Sequence, residues 1–266
     1  MNTFFYIIIF IIGTLFGSFY TLAVYRIPKR QDIVYTHSYC PNCNHKLGLL
    51  DLFPIFSYIL LGGKCRYCKQ KIRPRYLILE SLTGVLFIVM TILMNITIDN
   101  LNIKNIIELF FMALYLTFII LMSGINKENK TIDKYVNIYG VVISLLYMVY
   151  LYIIGKTSIY RYGIYVILYV ILLLVNNKLK DNQKEISKIL VTTIIMTFFT
   201  REYITLSSII ITMIVSSIML LLKRNKENIN KQEKNKIITK IPIGYILGIT
   251  NIALLMCMLL YNNFIL

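Results

Sequence analysis

The sequence predicts an all-α polytopic membrane protein, with about eight transmembrane helices and a small cytoplasmic zinc-ribbon loop. Three observations predict it. The mean hydropathy is +0.70 and 58% of the 266 residues are apolar, too greasy for a soluble domain of this size. Apolar runs about 20 residues long recur along the chain, the length that crosses a bilayer core. Two cysteine doublets, Cys40-Pro41-Asn42-Cys43 and Cys65-Arg66-Tyr67-Cys68, stand in the one long polar loop near the N-terminus.

The elements follow in order. The first apolar run covers residues 3–25. It lacks a basic n-region and a small-residue cleavage site and runs too long for a removable signal peptide. It leads through Gly17-Ser18-Phe19 to Tyr25-Arg26-Ile27-Pro28. Small residues near a span's end permit close helix contact, and Pro28 cannot continue the helix. Further spans are read at roughly 76–96, 103–123, 135–155, 157–175, 186–200, 203–222 and 242–263, with the fifth and sixth the weakest. The domain reading is a first helix over 1–25, a loop with a four-cysteine module over 26–75, and a seven-helix body over 76–266. Residues 223–240, rich in Lys, Asn and Glu, read as a cytoplasmic linker within that body.

The formal charge of +16 has a topological explanation. Loop 26–75 carries ten Lys and Arg, loop 124–134 three, loop 176–188 four and loop 223–240 seven. Lys104, Lys156, Arg161 and Arg201 are left for the opposite side. The positive-inside rule puts the four basic loops in the cytoplasm and both termini outside. Membrane orientation accounts for the basic charge, so no nucleic-acid partner is read from it.

The cysteines inherit that compartment. Cytoplasmic thiols stay reduced, which favours one tetrahedral Zn²⁺ on Cys40, Cys43, Cys65 and Cys68 over two disulfides. Gly62-Gly63 before the second doublet suits the tight turn of a zinc ribbon. Cys257 lies alone in the last span and reads as a small lipid- or core-facing residue.

The words around the cysteines carry a resemblance. Gly17, Ser18, Phe19, Tyr25, Arg26 and Pro28, the run His37 to Cys43, Pro54 with Ser57 and Tyr58, the run Gly63 to Cys68, and Arg75, Tyr76 and Glu80 resemble the bacterial type IV prepilin leader peptidases. Members of that family often also N-methylate the processed pilin. Ile241-Pro242-Ile243-Gly244-Tyr245 is similar to the family's motif at its last helix. The resemblance implies a multi-pass protein of the bacterial cytoplasmic membrane, with the bilayer and type IV prepilins or pseudopilins as partners. It implies structural Zn²⁺, and S-adenosylmethionine if methylation is retained. No glycine-rich cofactor fingerprint supports the latter independently.

The resemblance also implies intramembrane aspartic proteolysis. Two carboxylates share one proton, so one activates water while the other polarises the scissile carbonyl. In this chain the first family position falls on Asn126 and the second on Glu185, and the glycines and lysine of the family's second motif are absent. A carboxamide is not a base, and a glutamate is one methylene longer than the expected aspartate. Structural readings stand beside these. Asn126 can be a helix C-cap. Asn182 and Glu185 fit a capping box. Asp133 can N-cap the fourth span and Asp181 can sit in a loop, and either can substitute as a carboxylate. Glu80, just inside a span, needs a partner such as Arg75 or a polar cavity. Three activities remain open: an active peptidase, a catalytically impaired relative that binds prepilins or assembly partners, and a pilin methyltransferase alone.

Overall fold

A computed structural model describes residues 2–155, 159–176, 181–226 and 241–265, with backbone alone for 159–162, 173, 175–176, 181–183, 223–226 and 264–265. The helices are α1 (Asn2–Arg26), α2 (Leu49–Leu52), α3 (Phe56–Leu60), α4 (Arg75–Leu93), α5 (Ile103–Asn129), α6 (Lys134–Ile153), α7 (Ile159–Asn176), α8 (Asp181–Thr200), α9 (Glu202–Lys226) and α10 (Ile243–Ile265). Among the described residues the only β pairing is two isolated bridges, Tyr39 with Lys46 and Lys64 with Lys71.

The all-α membrane architecture holds, with a correction to the count. Six described helices are long and apolar enough to cross a bilayer: α1, α4, α5, α6, α9 and α10. The two weakest spans, 157–175 and 186–200, are helical too, as α7 and α8. Only Gly163–Leu172 of α7 registers as an apolar stretch, and α8 carries Lys184, Glu185 and Lys188 near its start. The segment read as loop 176–188 is therefore mostly helix from Asp181 onward. The linker read as 223–240 also begins later, because α9 runs through Lys226. The rest of it lies outside the described residues.

The chain divides into two compact units, Met1–Leu109 and Phe110–Leu266. In the first, α1 and α4 pack through small residues. A Cβ added at Gly13 would come within 2.9 Å of Gly84 Cα, and one at Gly17 would overlap Thr83 Oγ1 and lie 2.8 Å from Glu80 Cα. Gly13 and Gly17 are four residues apart, so they line one face and let two backbones approach. α1 stops at Arg26, as Pro28 requires.

In the second unit glycines of α10 make room for side chains of α5 rather than for its backbone. A Cβ at Gly248 would overlap Ser123 Oγ, and one at Gly244 would meet Asn126 Cγ at 3.1 Å, both on α5. Tyr115, on α5, donates to Asn251 Oδ1 of α10 at 2.5 Å, and the Asn251 amide reaches Thr200 Oγ1 at 3.4 Å and Ser208 Oγ at 3.5 Å. Apolar surroundings leave such groups no water, so they satisfy one another. Phe199 stacks on Tyr115 at 4.5 Å and on Tyr147 at 4.7 Å, which ties α8 to α5 and α6.

Candidate metal centre and active-site positions

The two cysteine doublets fold into matching knuckles. In the first, the Asn44 N–H donates to Cys40 O at 2.8 Å and the Cys40 N–H to His45 O at 3.0 Å. In the second, the Lys69 N–H donates to Cys65 O at 3.0 Å and the Cys65 N–H to Gln70 O at 2.8 Å. The residue after each doublet has positive φ, 55° at Asn44 and 58° at Lys69. The turn thus aims two sulfurs at one point, twice. Gly62 and Gly63 take φ of 58° and 67° ahead of the second knuckle, the turn the glycine pair predicted.

The four sulfurs lie within 4.8 Å of one another, and Cys40 Sγ is 3.8 Å from Cys68 Sγ. A metal with ~2.3 Å bonds to sulfur holds tetrahedral thiolates ~3.8 Å apart, so the cluster fits a Zn²⁺-sized ion. All five cysteines are free thiols. Their protons are unevenly held. The Gln70 N–H, then the Asn42 amide, bring the Cys68 thiol down to about 6. The His45 N–H favours the Cys43 thiolate, but desolvation and the sulfurs of Cys68 and Cys40 outweigh it and push that thiol up to about 11. Four thiolates in one place repel, and a divalent cation is what lets all four ionise. Asp51 braces the module, accepting from Arg66 Nε at 2.6 Å and from Tyr67 Oη at 3.3 Å.

Arg26 organises the chain leaving α1. Its buried guanidinium donates to Asp32 O at 2.9 Å, Thr36 O at 2.8 Å and His37 O at 3.2 Å. The Asp32 carboxylate accepts from the N–H groups of Val34, Tyr35 and Thr36, which hold it below the usual carboxylate range. Arg26 and Pro28 were legible as motif letters. The three carbonyls that Arg26 gathers were not, because nothing in the spacing says which carbonyls fold back.

Glu80 is buried on α4, and its Oε2 accepts from the Ile55 N–H at 2.8 Å, with the Ser18 hydroxyl also bonded to the carboxylate. The partners of this buried acid therefore include a backbone amide from the loop and a hydroxyl of α1. Ile55 itself has φ of 63°, an outlier for a β-branched residue.

The two positions matched to the family's dyad are tied to different elements. Asn126 is 4% exposed on the last turns of α5, and its Oδ1 accepts from the Tyr245 N–H at 3.1 Å, in the first turn of α10. The C-cap reading of Asn126 is corrected: α5 continues to Asn129, and Lys130 takes the left-handed φ of 61° while its N–H donates to Asn126 O. Glu185 lies on α8. Its Oε1 is 2.6 Å from Lys188 Nζ, and its Oε2 accepts from the Ile132 N–H at 3.3 Å. The capping-box reading loses its position, since α8 starts before Asn182, at Asp181. The side chains of Asn182 and Asp181 are outside the described residues. Asp133 N-caps α6 as expected, accepting from the Tyr135 N–H at 2.8 Å. Asn137 Nδ2 donates to Lys188 O at 3.1 Å, which fastens α6 to α8 beside Glu185.

Comparison with known proteins covers about a third of the chain. Residues 11–94 match the family model described as the bacterial peptidase A24 N-terminal domain. Proteins named prepilin leader peptidase/N-methyltransferase are similar over stretches of comparable length. The one from Myxococcus xanthus is 39% identical over 83 residues, which is 31% of this chain and 25% of that protein. The one from Vibrio cholerae is 39% identical over 84 residues, 28% of this chain and 33% of that protein. The one from Bacillus subtilis is 40% identical over 80 residues, 30% of this chain and 32% of that protein. The chain thus matches only a quarter to a third of the length of these curated relatives. No solved structure matches it.

Proposed function

We propose, from the match of residues 11–94 to the bacterial peptidase A24 N-terminal domain model, that this chain recognises type IV prepilins or pseudopilins at the cytoplasmic face of a bacterial membrane, and that it has lost most of the proteolysis expected of such proteins. The observation that carries the loss is the state of Asn126. Its carboxamide cannot share a proton, and its oxygen already accepts from Tyr245 of α10. It acts there as a helix N-cap supplied from a neighbouring helix. Glu185 engages Lys188 and the Ile132 N–H. An acid protease needs a carboxylate to take water's proton and a protonated carboxyl to donate to the carbonyl oxygen and then exchange that proton, and the Asn126 carboxamide can neither act as the base nor exchange a proton.

In this reading Cys40, Cys43, Cys65 and Cys68 hold one structural Zn²⁺, with no open coordination position for catalysis. The basic loops face the cytoplasm and both termini lie outside. Methylation with S-adenosylmethionine is a separable activity of the same reading, measured by mass on the pilin N-terminus. A second reading has one observation behind it. Glu185 accepts from Ile132, the residue before Asp133, so a displaced Glu185–Asp133 pair is the arrangement that would rescue proteolysis.

Co-expression with the host's prepilins, with leader cleavage followed by mass spectrometry, tests both. No cleavage by the native chain, with cleavage gained in Asn126→Asp/Glu185→Asp, supports the impaired reading. Efficient native cleavage abolished by Glu185→Gln and by Asp133→Asn establishes the displaced pair and overturns it. For the metal, about one Zn²⁺ per chain is expected by elemental analysis, and an unchanged content in Cys40→Ser/Cys65→Ser would remove the site.

A further inference from the structure

The short helices α2 and α3 present an apolar face that the four-cysteine module does not cover. Leu49, Leu50, Phe53, Phe56, Ile59 and Leu60 are all exposed, Leu60 by 83%. Alone, that face would carry no assignment. Its depth makes one. Glu80 accepts from the Ile55 N–H, at the bend between α2 and α3. Glu80 is five residues inside the start of α4, about 7 Å along the axis. It also packs beside Gly17, nine residues or about 13 Å from the end of α1 at Arg26. Tyr58 Oη donates to Ile72 O at 3.3 Å, which holds α3 against the chain as it enters α4. The bend is therefore held at the level of the ends of both spans that flank it, within reach of the Glu80 side chain.

Charge points the same way. Loop 26–75 holds ten Lys and Arg against two acids, Asp32 and Asp51, and Asp51 is bonded to Arg66. Exposed Lys46, Lys64, Lys69, Lys71 and Arg73 flank the hairpin in sequence. Apolar side chains at interfacial depth with a cationic fringe are the composition of a segment lying in an anionic headgroup layer.

We infer that residues 49–61 form a hairpin seated in the headgroup–acyl boundary of an anionic bilayer leaflet, held at that depth by the Glu80–Ile55 bond. Water thins toward the acyl chains, and Glu80 supplies the acceptor for the Ile55 N–H there. The occupant of the apolar face is lipid. This rests on α1 and α4 spanning the bilayer and is independent of any peptidase activity.

The chain contains no Trp, so single-Trp variants report depth directly. Full-length Phe56→Trp and Leu60→Trp proteins go into nanodiscs containing phosphatidylglycerol. Val85→Trp, on the outward face of α4, marks the bilayer, and Gln70→Trp marks the thiol knuckles. Zinc content checks the fold of each. Trp at 56 and 60 should emit blue-shifted, lose most of its intensity to acyl-brominated lipid and resist aqueous iodide, with Gln70→Trp the reverse. In pure phosphatidylcholine the lipid quenching at 56 and 60 should weaken. Iodide-quenched, lipid-insensitive Trp at both positions beside a lipid-quenched Val85→Trp overturns the inference. So does protection that appears only when a prepilin leader peptide is added, which would make the face a peptide site. A Val85→Trp that lipid does not quench removes the bilayer placement of α4, and the inference with it.

Discussion

Two helix pairs, one in each unit, meet at glycines and bury different polar groups: α1 and α4 approach backbone to backbone, whereas Gly244 and Gly248 of α10 face side chains of α5. α1 and α4 meet through Gly13, Gly17 and Gly84, with Glu80 beside Gly17. α5 and α10 meet through Gly244 and Gly248, with Asn126 beside Gly244. In each, a side-chain oxygen accepts a backbone N–H at the end of the contact, from Ile55 at 2.8 Å in one and Tyr245 at 3.1 Å in the other. The first pair keeps a carboxylate and reaches into a loop clasped by four thiols. The second holds a carboxamide and caps a helix. The contrast teaches that close small-residue contact is what lets a short polar side chain find a backbone partner away from water. The identity of that side chain then decides whether the site can move a proton or only hold structure.

Metal removal should separate the units most. Chelation, or Cys40→Ser/Cys65→Ser, should abolish bound metal and open loop 26–75 to protease, because structural zinc contributes on the order of 10 kcal/mol to folding small ribbons. Hydrogen exchange in α5 and α10 should stay as it was. Equal loosening of both units would break the distinction.

The glycine contacts come next. Gly17→Ala should cost about 1–3 kcal/mol by thermal unfolding in detergent, since its Cβ meets the backbone of α4. Gly248→Ala should cost less and be largely rescued by Ser123→Ala. Its clash is with Ser123 Oγ, a buried hydroxyl with no hydrogen-bond partner among the described atoms. A Gly248→Ala effect that Ser123→Ala leaves untouched would mean the α5–α10 approach is set by backbone, as in the first unit.

The buried acceptors follow. Glu80→Ala leaves the Ile55 N–H without its partner and should cost about 1–3 kcal/mol. Asn126→Ala should cost about 0.5–2 kcal/mol, the range of a lost N-cap. Asn126→Asp should be tolerated, because negative charge at the start of α10 is favourable. Severe destabilisation by Asn126→Asp would show that the second unit selects against a carboxylate.

The smallest effect is a pH dependence confined to the first unit. Asp32 has a folded pKa lowered by the Val34, Tyr35 and Thr36 N–H groups. Its contribution is present above the unfolded value of about 4 and is lost as pH falls through the lower folded value. Exchange of the Val34–Thr36 amides should accelerate across that window, and Asp32→Asn should flatten the change.

Local features were legible in the sequence because each is decided within a few residues. Pro28 ends α1, Gly62-Gly63 turn toward the second knuckle, Asp133 caps α6, and the C-x-x-C spacing brings sulfurs together. The glycine pairs at 13/17 and 244/248 were also visible as a small-xxx-small spacing, a signal that the motif letters Gly17 and Gly244 obscured. What failed were readings that depend on a distant partner. Asn126 looked like a C-cap because Asn tolerates left-handed backbone, but its partner is 119 residues away. Glu80 was expected to need a partner, and the spacing named neither the Ile55 N–H nor the Ser18 hydroxyl that it meets.

Composition and local spacing thus determined by themselves that this is an α-helical membrane protein carrying a four-thiol module, because hydrophobic length and turn geometry are properties of contiguous chain. Only the tertiary structure decided which backbone groups Glu80 and Asn126 satisfy and how Arg26 turns the loop. In apolar surroundings a polar group left without a partner within about 3 Å is costly, and which partner comes that close depends on how helices far apart in sequence pack.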